Sequence, residues 1–164
     1  VTSQLNRQPL QNRKKIVTSI DDLLNIQQIK ELRIKYSTYF DQKELDNLMG
    51  LFTPDAVCEF GPEYGGNWEG SATIRNNFQP YLEDGEEPWK TMHVITNHLI
   101  EFTGPDTAKG RCYLLDLNIK QDNKEPLYLI GVYDDLYQKI DGQWLIHKTR
   151  IDFLWPQRMI LPPR

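Results

Sequence analysis

One change of period governs what this chain can become. From Ser19 to about residue 82 the helical spacing of three or four between apolar side chains prevails, whereas after the charged string DGEEP the character is that of strands to near the end. Helical period first and strand period second, in 164 residues, implies one α+β domain with a single core. Four long strands are expected near 89–102, 107–120, 126–140 and 143–155, separated by GPD, QDNKE and IDGQ. Asp141-Gly142 is the strongest hairpin signal, because this pair tolerates the positive φ of a two-residue turn. Sequential strands joined by short turns predict an antiparallel sheet. A long helix placed ahead of them predicts that one face of a curved sheet is covered and that a space is enclosed.

That helix should start at Ser19, a residue able to cap it, with Asp21 and Asp22 in a first turn where negative charge suits the dipole. Leu24, Gln28, Leu32 and Tyr36 follow at four-residue spacing, and the helix should end near Asp41. A second short helix is expected over 43–51, then a turn at Thr53 to Ala56, a short strand at Val57 to Phe60 and a brief partner at Asn67 to Glu69. Ser71 opens a third helical stretch with Ile74, Phe78 and Leu82 inward, limited or kinked by Pro80. Residues 1–18 are polar and aperiodic and read as a flexible arm. Residues 19–155 form the domain, and 156–164 are a tail.

The charge balance excludes some functions. Nineteen basic and 23 acidic residues, net −4, give no basic face for nucleic acid, and Arg13, Lys14 and Lys15 are too few to make one. No apolar run approaches the roughly 18 to 20 residues of a membrane crossing, and the first residues lack the apolar core of a signal peptide, so a cytoplasmic protein is expected. Cys58 and Cys112 fit no metal or disulfide spacing and read as buried free thiols. His93, His98 and His147 form no HExxH or HxH pair, so no metal site is expected. There is no P-loop, GxGxxG, GxSxG or acidic calcium loop. What remains is general acid–base chemistry or plain binding, in a space that eight Tyr and four Trp could line for a hydrophobic small molecule.

Three constellations could carry such chemistry. Tyr36 and Asp41 close the long helix. Five residues advance an ideal helix by about 500°, or 140° past one full turn, so the two leave on different faces unless the helix ends at Phe40. Asp41 is out of place at a helix C-terminus, where the dipole disfavours a carboxylate, and asks for a partner. In WKTMHVITNHLIEF, alternation puts Thr91, His93, Ile95 and Asn97 on one face and His98 on the other. His93 is either a core histidine or, if it meets Asp41, an oriented general base. Asp116 interrupts an apolar strand, with Arg150 in another strand as a possible counter-ion. The two are either an exposed cross-strand pair or groups of a cavity.

The order of Tyr, four residues and Asp, then LFTPDAV, a helix, MHVITNHLIEF and a hairpin ending DGQWLIHKTR resembles the SnoaL-like branch of the nuclear transport factor 2-like (NTF2-like) superfamily over roughly residues 20–155. The resemblance implies an α+β cone, with helices on a strongly curved antiparallel sheet around a deep pocket. The residues look most like those of scytalone dehydratase and bile acid 7α-dehydratase, which remove water with a His and Asp pair assisted by tyrosine and no cofactor. Tyr36, Asp41 and His93 match that pattern, Asp116 and Arg150 fall where further pocket residues are expected, and Asn97 would add a polar contact to substrate. The implied activity is a dehydratase, lyase or isomerase acting on a hydrophobic, cyclic, oxygenated small molecule. A polyketide-cyclase-like aldol closure is an alternative, as is a non-catalytic binding or assembly subunit like a dioxygenase β subunit. The resemblance also implies a homodimer or homotrimer.

Overall fold

Ser19 does cap the first helix, accepting the N–H of Asp22 on its hydroxyl at 3.1 Å, and α1 runs Ile20–Asp41. The computed structural model describes residues 19–62, 65–82, 89–120 and 127–155, so the N-terminal arm and the C-terminal tail lie outside the described residues. After α1 come α2 (Leu45–Met49), β1 (Phe52–Glu59), β2 (Asn67–Glu69) and α3 (Ser71–Leu82), then β3 (Trp89–Phe102), β4 (Thr107–Lys120), β5 (Leu127–Ile140) and β6 (Gln143–Trp155). The hairpin between β5 and β6 turns at Asp141 and Gly142, both with positive φ.

The six strands form one sheet in the order β2-β1-β6-β5-β4-β3. The four long strands pair antiparallel, as short turns require. The sheet as a whole is mixed, because β1 lies parallel to β6. The antiparallel expectation, drawn from the four long strands, holds for them, and β1 adds one parallel pairing to it. A strand far from β6 in sequence reaches that edge from outside the meander, with no hairpin to dictate its direction. The turn expected at Thr53 to Ala56 is likewise part of β1, where the register against β6 shifts between Phe52 and Val57 and so accommodates Pro54. Curved, open and covered by helices, the sheet has the architecture of the NTF2-like cone.

The helices cover the face to which Cys58, Cys112, Leu114, Tyr133, Tyr137 and Ile146 point, and Ile29, Leu32 and Tyr36 of α1 pack among them. Both cysteines are buried free thiols. In the middle of this core sits an ion pair. Arg33 donates through Nε to Asp135 Oδ2 at 3.0 Å and through Nη2 to Asp135 Oδ1 and to Thr149 Oγ1. Both charged side chains are fully buried. The guanidinium lies 3.9 Å from the ring centre of Tyr133 and 4.6 Å from that of Tyr36, and Tyr137 donates its hydroxyl to Asp135 Oδ2 at 2.6 Å. Burial opposes the charge on Arg33, but Asp135 together with Tyr137, Tyr133 and Cys112 outweighs it and holds the guanidinium charged. This cluster pins α1 to β5 and β6.

Removing one member leaves the other charge buried without compensation. Arg33→Met is therefore expected to cost about 3–5 kcal/mol of folding stability, read as a lowered urea midpoint. A loss below about 1 kcal/mol, the range of exposed pairs, would contradict the anchoring role.

Candidate active site

Asp41 is the last residue of α1, which continues helical through it, so Tyr36 and Asp41 do leave the helix in different directions. The carboxylate finds its partner on β3. The backbone N–H of His93 donates to Asp41 Oδ2 at 2.9 Å, and the ring Nδ1 pairs with Asp41 Oδ1 at 2.5 Å. A carboxylate only accepts, so Nδ1 carries a proton, and in the neutral ring Nε2 presents its lone pair. The Phe40 ring packs edge-on against the imidazole, with centroids 4.9 Å apart, and holds its plane.

On the other side of the imidazole stands Asp116. It is the direct cross-strand neighbour of His93, and its Oδ2 lies 4.0 Å from Nε2. Thr91, two residues before His93 on the same face, donates its hydroxyl to Asp116 Oδ1 at 2.5 Å. His93, Asp116 and Asp41 keep 9%, 11% and 20% of their side-chain surface, so the group is sheltered yet reachable from outside.

Tyr36 belongs to the adjoining aromatic layer, where its ring neighbours are Phe40, Phe52, Phe78 and Tyr133. It approaches His93 through Phe40, 6.3 Å from the one and itself 4.9 Å from the other. Burial pushes the Tyr36 hydroxyl well above its ordinary range, against the pull of Arg33, so it stays protonated and can act only as a neutral group.

Two expected site residues lie elsewhere. Asn97 is exposed at φ 53, in a bulge where the pairing of β3 with β4 shifts between Thr96 and Leu99. The extra residue resets the alternation, so His98, expected opposite to His93, turns onto the inner face and meets Tyr137. Arg150 stands between the buried Thr149 and Ile151 and so points to the outer face, away from Asp116. There it donates to Asp152 at 3.2 Å and borders an outer cavity of about 430 Å³ together with Arg111, Asp134 and Lys148. It is not the counter-ion of Asp116.

His98 completes the buried cluster. Since Tyr137 gives its proton to Asp135, the His98 Nε2, 3.2 Å from the Tyr137 oxygen, must be the donor in that contact. Gly110 makes room for this meeting, because a Cβ there would come within 2.8 Å of both His98 Nε2 and the Tyr137 ring. His98, Cys112 and Asp135 place ligand atoms within 4.8 Å of one another. Both Asp135 oxygens are already taken by Arg33 and Tyr137, so a cation would have to displace the guanidinium. Sequence reasoning placed Thr91 on the face of His93 without giving it a role, and passed over Arg33 and Asp135. The one signal was a charged residue at Arg33, four after the core position Ile29.

The SnoaL-like domain model matches residues 21–150. The chain belongs to that family. An uncharacterized protein of Mycobacterium tuberculosis is 27% identical to this SnoaL-like chain over 137 residues, covering 79% of this chain and 84% of the relative. Among solved structures, a putative scytalone dehydratase from Novosphingobium aromaticivorans superposes with a TM-score of 0.75 at 19% identity, over 87% of this chain and 93% of that one. A hexachlorocyclohexane dehydrochlorinase from Novosphingobium barchaimii superposes with a TM-score of 0.71 at 19% identity, over 89% and 100%. At these identities the solved structures speak for the fold. No described helix is long and apolar enough to cross a membrane.

Burial, with Arg33 and Lys30 adding to it, pushes His98 from 6.5 down to about 4, against Asp135. The unfolded chain therefore binds this proton first as pH falls. The His98 contribution to stability is full above about pH 6.5, declines from there to about pH 4, and is constant below. His98→Gln, which can still donate to Tyr137, is expected to lose less stability than the wild type between pH 7 and pH 5 in paired urea titrations. Equal losses would show that His98 does not titrate in this way.

Proposed function

We propose that this protein is a cofactor-independent acid–base enzyme, a lyase of the dehydratase kind or an isomerase, acting on a hydrophobic, cyclic, oxygenated small molecule. The observation that carries the reading is the imidazole of His93, with Nδ1 tied to Asp41 and Nε2 left as a base beside a second carboxylate. The structural likeness to a putative scytalone dehydratase and to a dehydrochlorinase, names that both denote eliminations, supports the same reaction class.

In the elimination, His93 Nε2 takes a proton from a carbon next to a carbonyl. The electrons of that C–H bond form the double bond while the C–O bond at the next carbon breaks. The imidazolium returns its proton to the departing hydroxyl, which leaves as water, and His93 is neutral again. Asp41 fixes the ring and stabilises its charged state, and Tyr36, held protonated, serves as a hydrogen-bond donor to the carbonyl oxygen. Isomerisation uses the same first step, with the proton returned to a different carbon. No step calls on a metal or an organic cofactor.

A base of this kind contributes about 10²- to 10⁴-fold in rate. His93→Ala is expected to lower kcat by that order with a small change in KM, and Asp41→Asn to lower it by misorienting the ring, on a substrate found by screening hydroxylated ring ketones. Wild-type turnover in both variants would sink the proposal.

Self-association belongs to the same reading. The outer face of β3 to β6 carries Met92, Tyr113, Leu115, Tyr128, Ile130 and Leu154, all exposed, and Leu115 and Ile130 are cross-strand neighbours. An apolar area of this kind marks an interaction surface. The ion pairs Arg111 with Asp134 and Lys148 with Glu59 lie on the same face and mix both signs, so a second copy of the chain is complementary to it. Light scattering should find a homo-oligomer that Leu115→Asp plus Ile130→Asp converts to monomer. A monomeric wild type would overturn this part.

A further inference from the structure

The second carboxylate has a geometry that the elimination alone does not require. Asp116 is held by Thr91 through Oδ1, which turns Oδ2 toward His93 Nε2 at 4.0 Å. Two atoms at that separation can share one oxygen between them, each at hydrogen-bond distance of about 2.8 Å. The base and the carboxylate therefore converge on a single point, and what suits that point follows from their chemistry. As a carboxylate Asp116 can only accept, so the occupant must offer a proton to it.

We propose that Asp116, positioned by Thr91, selects the leaving group: it accepts the O–H of a departing hydroxyl and discriminates against a halide. A hydroxyl on the carbon next to the site of proton removal donates to Asp116 Oδ2 and takes its second proton from the His93 imidazolium. A chloride on the same carbon has no proton to donate, and the negative charge it gathers as the C–Cl bond breaks faces the carboxylate. The inference rests on the elimination chemistry proposed above and narrows its substrate to ring compounds that lose water. Asp116 touches the reacting hydroxyl, and Thr91 acts only through Asp116.

The experiment uses two substrates that give one product. 3-Hydroxycyclohexanone and 3-chlorocyclohexanone both yield cyclohexenone, by loss of water and of hydrogen chloride, so one absorbance assay corrected for the uncatalysed rates follows both. The quantity read is the ratio of kcat/KM for the hydroxy to the chloro compound. Losing a hydrogen bond to a charged acceptor is worth about 10- to 100-fold, and the ratio should fall by that order in Asp116→Asn and Thr91→Val. It should recover in Thr91→Ser, which keeps the hydroxyl but not the methyl group. A ratio unchanged in Asp116→Asn, or equally low in Thr91→Ser and Thr91→Val, would overturn the assignment.

His93→Ala separates the two levels of argument. If it abolishes both eliminations while Asp116→Asn keeps the wild-type ratio, the base stands and the leaving-group role falls. If His93→Ala retains wild-type turnover, the elimination reading itself falls. Should the wild type turn over neither ketone, the same discrimination is read from binding. Cyclohexanol should then shift the His93 ring resonances in wild type and Thr91→Ser but not in Thr91→Val, and chlorocyclohexane in none of them. Equal responses to the two compounds would count against the proposal.

Discussion

The fold hangs on the meeting of Arg33 with Asp135. A helix lying on a curved sheet by apolar contacts alone is free to roll and slide by small amounts, since such contacts are not directional. The guanidinium removes that freedom. Its planar fork grips both carboxylate oxygens of β5 and the hydroxyl of Thr149 on β6, with the Tyr133 and Tyr36 rings at its faces. Once Arg33 is fixed, so is everything downstream on the rigid helix. Asp41 stands eight residues further on, about 12 Å along the axis, which brings its carboxylate to the backbone and ring of His93. The position of the candidate base is set from deep inside the core.

Much of this was legible in the sequence, for a physical reason. Long elements of constant period leave a strong signal, so α1 and the four long strands lie close to where the alternation of side chains places them. Asp41 was legible too, because a carboxylate at the negative end of a helix dipole needs compensation. Apart from the bulge at Asn97, a local irregularity that alternation does not announce, the failures share one cause, in that each depended on pairing between distant segments. Arg33 and Asp135 are 102 residues apart, and nothing local in either stretch announces the other. Arg150 reads in the sequence as one candidate counter-ion for Asp116, whereas its alternation with Thr149 and Ile151, fixed by the pairing of β6, sends it outward. The direction of β1 was equally hidden, since no turn connects it to β6.

The imidazole at the candidate site is flanked by two carboxylates of different kinds. Asp41 accepts from both the backbone and the ring of one residue, so it belongs to the scaffold. Asp116 is tethered by one oxygen, with the other toward the open nitrogen. One face of the histidine is thus committed and the other available, and this asymmetry makes a strand histidine look like a reagent. Phe40 joins this site to the layer containing Tyr36, so the aromatic packing that closes the core also borders the candidate site.

The bulge at Asn97 has a consequence for how such a protein can change. β3 is one strand by its hydrogen bonds but two by its side-chain phase, with His93 inward before the bulge and His98 inward after it. Pairing the same residues without the bulge would turn His98 out and Leu99 in while leaving the phase around His93 untouched. The two ends of the strand are therefore separate modules under mutation. One end can exchange its polar groups while the other conserves the cluster that holds the helix, and one open, curved scaffold can so diverge in chemistry without renegotiating its foundation.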